Sequence, residues 1–256
     1  IISYAKNRGW LKKRAKKFNF AKTYGAKKSQ ESMGNILRQW RATNLLSRHK
    51  YQIEDQLPFS FIPRRVVKVT DLFEVLRDHY EGTEYDLTDG YKKGSPNATK
   101  NKTICSLHTQ YAFVGDLKSD LPRELNHTLW IALKRPDTNA FSPIYYFTNP
   151  IPSGYSSQEL THSDLKQKKG AFVYFSELSR LVDQKYGERI KKTKKKWRSF
   201  EKYAIKQIYK RRKEFIYILK KNPLVGKKII TNFIHSLEYR KWFLTTELIG
   251  EFRSFE

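Results

Sequence analysis

Between Thr103 and Leu117, and again between Thr128 and Lys134, the sequence alternates with a period of two, whereas from Gly170 onward its apolar residues recur at every third or fourth position. A period of two sends successive side chains to opposite faces of a strand, and a period near 3.6 gathers them into one stripe of a helix. The chain therefore has to fold as an α+β protein, with sheet in its middle and helices at its end. The two strands are joined by a turn-rich connection containing Pro122 and Asn126, and a third is expected over Ile144–Thr148. Pro143, Pro150 and Pro152 confine that third strand to a sheet edge or its end, because proline cannot donate to a ladder.

In the helical region Phe172, Phe175, Leu178, Leu181 and Val182 form one stripe, and Trp197, Phe200, Ala204, Ile208, Phe215 and Leu219 another. Pro223 and Gly226 are expected to break it before a last helix from Ile229 to about Phe252. Two helices are expected earlier. Met33, Ile36, Leu37, Trp40 and Leu45 fall on one face between Ser32 and Leu46. The other is capped by Thr70, carries Asp71 and Glu74 at its positive end, lines Leu72, Leu76 and Tyr80 along one side and stops at Gly82. Residues 1 to about 28 are basic, with Tyr4, Trp10, Phe18, Phe20 and Tyr24 interspersed without a period. This reading divides the chain into a sheet-containing part, 1–170, and a basic helical part, 171–256, packed on it.

Charge bears on partners. The 51 Lys and Arg against 25 Asp and Glu give a formal charge of +26, a field that attracts polyanions without any specific site. Non-specific polyanion contact is therefore expected, and a basic helical RNA-binding protein is the alternative to an enzyme. The run Lys191–Lys196 suits a nucleic-acid backbone, with Trp197, Tyr203 and Tyr209 available to stack. Those aromatics recur at helical spacing among apolar residues, however, which reads as a core-facing stripe with the lysines solvated on the other side. No apolar run approaches the ~18–20 residues that cross a bilayer, so no membrane is expected. The single cysteine, Cys105, forbids an intrachain disulfide and suggests a reducing, cytoplasmic compartment. The chain begins at Ile1 and its one methionine is Met33, so a processed or longer protein is expected.

Cys105 and His108 invite a catalytic pair, but on a strand residues three apart point to opposite faces, and Cys105 reads as a small buried hydrophobe. His49, His127, His162 and His235 show no ligand spacing, so no metal site and no cofactor is expected.

Three stretches resemble the dipeptidase family of N-terminal-nucleophile (Ntn) hydrolases, whose relatives include the secernins. The most specific runs from Leu76 through Arg77, Asp78, His79, Tyr80, Glu81, Gly82 and Thr83 to Thr88. The second is Thr103–Gln110, followed by Trp130–Leu133 and Pro143–Tyr146, and the third is Phe18–Tyr24 with the Trp40–Arg41 helix after it. The chain has Lys102 where that family commonly has arginine before the Thr-Ile pair. The resemblance implies a four-layer αββα sandwich of antiparallel sheets, present here in part, and hydrolysis of dipeptides by a cysteine at the mature N-terminus. There the free α-amine activates the thiol of its own residue, and the thiolate attacks the peptide carbonyl to form an acyl-enzyme.

Residue 1 is Ile, so the resemblance places the nucleophile and its strands upstream, leaves no catalytic residue in this chain, and makes an N-terminal segment of the same protein a partner. A dipeptidase must hold a free ammonium and a free carboxylate. Glu81 or Asp78, near the negative end of a helix, is the candidate for the first and the fork of Arg77 for the second. His79, His108, Thr109 and Gln110 complete the expected substrate-binding set. Self-assembly into a homo-oligomer is left open by the sequence.

Overall fold

The computed structural model describes residues 1–14, 18–100, 102–152, 154–155 and 170–254; His162 lies outside the described residues. The chain forms two compact units, Ile1–Val67 and Lys68–Glu256.

The first unit holds helices α1 (Ile2–Asn7), α2 (Phe20–Tyr24), α3 (Lys27–Gln30) and α4 (Met33–Leu46). Its scattered aromatics meet each other. Trp10 packs edge-on against Tyr4 and Tyr24, with centroids 5.7 and 5.6 Å apart, and Phe20 stacks on Tyr24 at 4.9 Å. Helix α4 has the expected bounds, but of its expected stripe only Leu37 is buried and Met33 is exposed. Asn44 brackets Tyr51 by accepting its N–H and donating to its carbonyl, both at 2.8 Å.

The second unit contains α5 (Val69–Leu76), strands β1 (Tyr111–Leu117), β2 (His127–Leu133) and β3 (Ser142–Ile144), then α6 (Ala171–Gln184), α7 (Tyr186–Lys221) and α8 (Pro223–Arg253). The strands form one antiparallel sheet in the order β1-β2-β3, with Val114 opposite Trp130 and Trp130 opposite Pro143. The α+β class is therefore as the periods demand. Four layers are not seen among the described residues, where this sheet is the only one.

Ala112, Val114, Trp130 and Ala132 point to one side of the sheet and are buried with Phe73 of α5, Trp197 and Phe200 of α7 and Ile230 of α8. The stack Phe73–Phe141, 4.1 Å between centroids, with Trp130 edge-on to Phe73 at 5.6 Å, fixes α5 against the sheet. Trp197 is fully buried and its indole N–H donates to the Thr138 carbonyl at 2.7 Å. The opposite side carries Tyr111, Phe113 and Leu117, exposed by 60, 59 and 69%.

Several boundaries differ from the sequence reading, each for a local reason. Thr103–Gln110 is not strand: Thr109 N–H donates to the Ser106 carbonyl at 3.0 Å and closes a turn. The third strand is Ser142–Ile144, not Ile144–Thr148, because Thr148 N–H returns to the Tyr145 carbonyl at 2.9 Å. Helix α5 ends at Leu76, and its first turn is closed by Asp71 accepting the Lys68 N–H at 2.8 Å, with Thr70 inside the helix. The helical run breaks just before Pro223, as expected, but Pro223 itself opens the last helix, at the position where a missing N–H costs nothing, so that helix begins there and not at Ile229. The reversal between α7 and α8 needs Gly226, since a Cβ there would lie 3.0 Å from the Leu219 Cα. Among the described residues no helix is long and apolar enough to cross a membrane.

Candidate functional site

The segment that follows α5 turns its polar side chains inward, one after another. Arg77 is buried at the helix end, where its Nε donates to the Pro136 carbonyl at 2.7 Å and its fork grips Glu201 of α7, with Nη1 3.0 Å from Oε2. Glu201 also accepts the Phe141 N–H at 2.8 Å, and the Arg77 guanidinium lies over the Phe141 ring at 5.4 Å. Burial alone would weaken the positive charge on Arg77, but the Glu201 carboxylate outweighs it and the pKa rises. The fork that was to receive a substrate carboxylate is thus engaged by the chain's own.

Asp78 accepts the Tyr80 N–H at 2.8 Å, which holds Tyr80 at a positive φ of 69°. That backbone reversal ends the line of Leu72, Leu76 and Tyr80 expected on one helix face. The Asp78 carbonyl accepts the Cys105 N–H at 3.1 Å, and the Tyr80 hydroxyl donates to the Lys102 carbonyl at 2.9 Å. The signature segment and the Thr103 segment are therefore fastened side by side.

His79 sits between them. Its Nδ1 lies 3.0 Å from Thr103 Oγ1 and its Nε2 3.2 Å from Asp137 Oδ2, and the Tyr186 hydroxyl donates to the same Asp137 oxygen at 2.8 Å. Arg135 Nε stands 3.4 Å from the other oxygen of Asp137, while its Nη1 bonds Asp183 of α6 at 2.8 Å. Burial would raise the Asp137 pKa, but Arg135 and His79 hold it well below the usual carboxylate range. Cys105 is fully buried beside this group, and that burial, with the Asp137 charge, pushes its thiol well up.

The donor atoms of His79, Cys105 and Asp137 lie within 4.8 Å of one another. The Cys–His neighbour of Cys105 is therefore His79 and not His108. As a catalytic triad this group is poorly arranged: both ring nitrogens of His79 are committed to Thr103 and Asp137, the thiol is driven toward its neutral form, and all three residues are buried. A divalent cation would have to sit beside the Arg135 guanidinium and compete with it for Asp137. The arrangement is that of a buried polar brace, in which Asp137 is held by hydrogen bonds through one oxygen and by the charge of Arg135 at the other.

Glu81 stands at the margin of this interior, half-buried. Its Oε2 accepts the His79 N–H at 2.7 Å, and its Oε1 meets the Tyr91 hydroxyl and, at 3.2 Å, the Lys194 ammonium. Burial opposes its charge, but Lys194, the His79 ring and these hydrogen bonds lower its pKa to about 2. His108, Thr109 and Gln110 form or follow the turn before β1; His108 and Gln110 are exposed, Thr109 half-buried, and the Gln110 carbonyl accepts the Lys134 N–H at 2.6 Å. The sequence-derived candidates thus fall into a buried group, Arg77, Asp78 and His79, a marginal carboxylate, Glu81, and an exposed turn. Glu201, Asp137, Arg135 and Tyr186, which hold the buried group together, lie far along the chain from the signature run and carry no local signal of that role.

Residues 1–199 match the family described as Peptidase family C69, and the chain belongs to that family. Among curated proteins it is 27% identical over 177 residues to a "Probable dipeptidase" of Latilactobacillus sakei, covering 66% of this chain and 35% of that protein. It is 25% identical over 143 residues to a "Probable dipeptidase B" of Lactococcus lactis subsp. lactis (strain IL1403), covering 54% and 29%. Against a "Probable dipeptidase" of Salmonella dublin it is 22% identical over 148 residues, covering 57% and 33%. The chain spans about a third of the length of these relatives.

Removing one partner of the buried Arg77–Glu201 pair leaves the other charge unpaired in the interior. Glu201→Gln is expected to cost about 3–5 kcal/mol in urea unfolding, and the double change Arg77→Met with Glu201→Leu to recover most of it. A second outcome concerns acid. Because folding lowers the Glu81 pKa from 4.5 to about 2, its contribution is fully present above pH 4.5 and is lost as pH falls toward 2. The pH dependence of unfolding between those values is expected to flatten in Glu81→Gln, read as urea midpoints at stepped pH.

Proposed function

We propose that this chain is the C-terminal part of a cysteine-type dipeptidase of the Ntn class, with the nucleophile and a second sheet supplied by a preceding segment of the same protein. Membership of a peptidase family and the dipeptidases among its relatives support the activity. The observation that carries the rest is the bare apolar side of the sheet. Leu129, Ile131, Leu133 and Ile144 of that side, with Ile234 and Tyr155, bound a cavity of about 570 Å³ beside the exposed Phe113 and Leu117. One face of a sheet covered by helices and the other apolar and largely open, met at its β3 edge by Ile234 and Lys241 of α8, is what remains of a sheet-on-sheet packing when one sheet is taken away. The αββα sandwich is in this reading completed across that face.

Within such an enzyme the buried Arg77, Asp78 and His79 act by holding the interior. Glu81 is the candidate that can reach a substrate ammonium, since its Oε1 already receives one from Lys194. His108, Thr109 and Gln110, at the mouth of β1, remain candidates for contact with the rest of the dipeptide.

In the protein carrying its preceding segment, dipeptide hydrolysis is expected, with loss of activity when the cysteine at the processed terminus is changed to alanine; hydrolysis by residues 1–256 alone would defeat the assignment. For Glu81, Glu81→Gln in that longer protein is expected to raise KM for free-amine dipeptides at least about tenfold. Lys194→Gln breaks the same ion pair but keeps the carboxylate, and should leave KM unchanged or lower it. Equal effects of the two changes would mean that Glu81 serves only as a brace.

A further inference from the structure

The 36-residue helix α7 carries fifteen Lys and Arg against three Glu, far more than a surface helix needs for solubility. Their arrangement separates them into two sets. Lys192, Lys194 and Lys196 face carboxylates, namely Glu251, Glu81 and Glu247. Lys195, Lys202, Lys206, Lys210, Lys213 and Lys220 are all exposed and follow one another at spacings of seven, four, four, three and seven, which keeps them on one side of a helix. Among the described residues none of these six has a carboxylate at ion-pair distance, and Glu214, their acidic neighbour, is taken up by two hydrogen bonds from Arg211.

Three tyrosines share that side. Tyr203, Tyr209 and Tyr217 are exposed by 37, 54 and 65%, contrary to the sequence reading that placed Tyr203 and Tyr209 with the core; only Trp197 of the three aromatics considered there is buried. Two of them are already paired with a cation. The Arg240 guanidinium lies over the Tyr203 ring at 4.3 Å and that of Arg212 over Tyr209 at 4.4 Å, so each offers a flat ring next to a fixed positive charge.

We propose that this side of α7 binds single-stranded nucleic acid, with the lysines following the phosphates and the tyrosines stacking on bases. From Lys195 to Lys220 the stripe runs about 38 Å along the helix axis, enough for several consecutive nucleotides. A row of cations alone would suit any polyanion; the exposed rings among them select one with flat, unpaired bases, because a duplex keeps its base faces covered. An anionic membrane fits less well. A helix that lies on a bilayer inserts its apolar side, and the apolar side of α7, with Trp197, Phe200, Ala204, Ile208, Phe215 and Leu219, is already buried in the protein. The proposal does not depend on the peptidase reading.

The test is fluorescence anisotropy of the full chain with a labelled 20-nucleotide RNA of mixed sequence, from low to physiological salt. Binding is expected with an affinity that falls steeply with salt. Changing Lys202, Lys206 and Lys213 to Gln should weaken it at least tenfold and reduce the logarithmic salt slope by about 2. Changing Tyr203, Tyr209 and Tyr217 to Leu, which keeps the charge, should weaken it by about tenfold or more while leaving that slope in place. Circular dichroism checks that the variants are folded. Equal neutralisation of the exposed Lys12, Lys13 and Lys28 is the control. The proposal is overturned if that control weakens binding as much as the stripe variant does, which would leave only the general field of a +26 chain. It is overturned equally if the tyrosine variant binds as the parent does, or if the stripe changes abolish sedimentation with phosphatidylserine vesicles but spare RNA.

Discussion

A single buried ion pair organises the larger unit. Arg77, at the end of α5, and Glu201, inside α7, are 124 residues apart, and neither reaches water. Between them they also hold the Pro136 carbonyl and the Phe141 N–H, so the helix end, the loop leading to β3 and the long basic helix are all referred to one point. Such a pair gives little net stability against a well-packed hydrophobic substitute, but it tolerates no partial arrangement, since either charge alone is costly in the interior. The aromatic stack of Phe73 on Phe141, immediately beside it, can form only with the loop in that position.

The same logic explains which parts of the fold were legible in the sequence. Periods of two and 3.6 report which face of an element is buried, and β2 and the helical end follow them closely, whereas in α4 only Leu37 of the expected stripe is buried and Met33 is exposed. They fail where hydrogen bonds to distant residues decide the backbone. Thr103 and Cys105 alternate as a strand would and are both buried, yet they are placed by His79 and the Asp78 carbonyl and not by a neighbouring strand. Tyr80 continues the helical spacing of Leu72 and Leu76, but Asp78 turns the chain before it. Tyr203 and Tyr209 show the limit from the other side: on a helix with so many lysines, spacing alone did not separate rings facing the core from rings facing water.

For the site, the sequence supplied one half of each interaction. Arg77, Asp78, His79 and Glu81 stand together in a recognisable run, whereas their partners Glu201, Asp137, Tyr186 and Lys194 are scattered over the next 124 residues. A run of charged and polar residues invites the thought of substrate, because the counter-charges are missing from view. Once the partners are in place the run reads differently, as a buried polar interior with Glu81 at its margin.

The sheet and the long helix then define two unlike surfaces on opposite sides of one layer pair. The helices cover Ala112, Val114 and Trp130 with the apolar side of α7, leaving Phe113 and Leu117 bare on the far side of the sheet and the lysine stripe bare on the far side of the helix. A bare apolar face is costly in water and calls for another layer of protein, whereas a bare cationic stripe is well solvated and needs none. Completion of the sandwich on the first surface would therefore leave the second free.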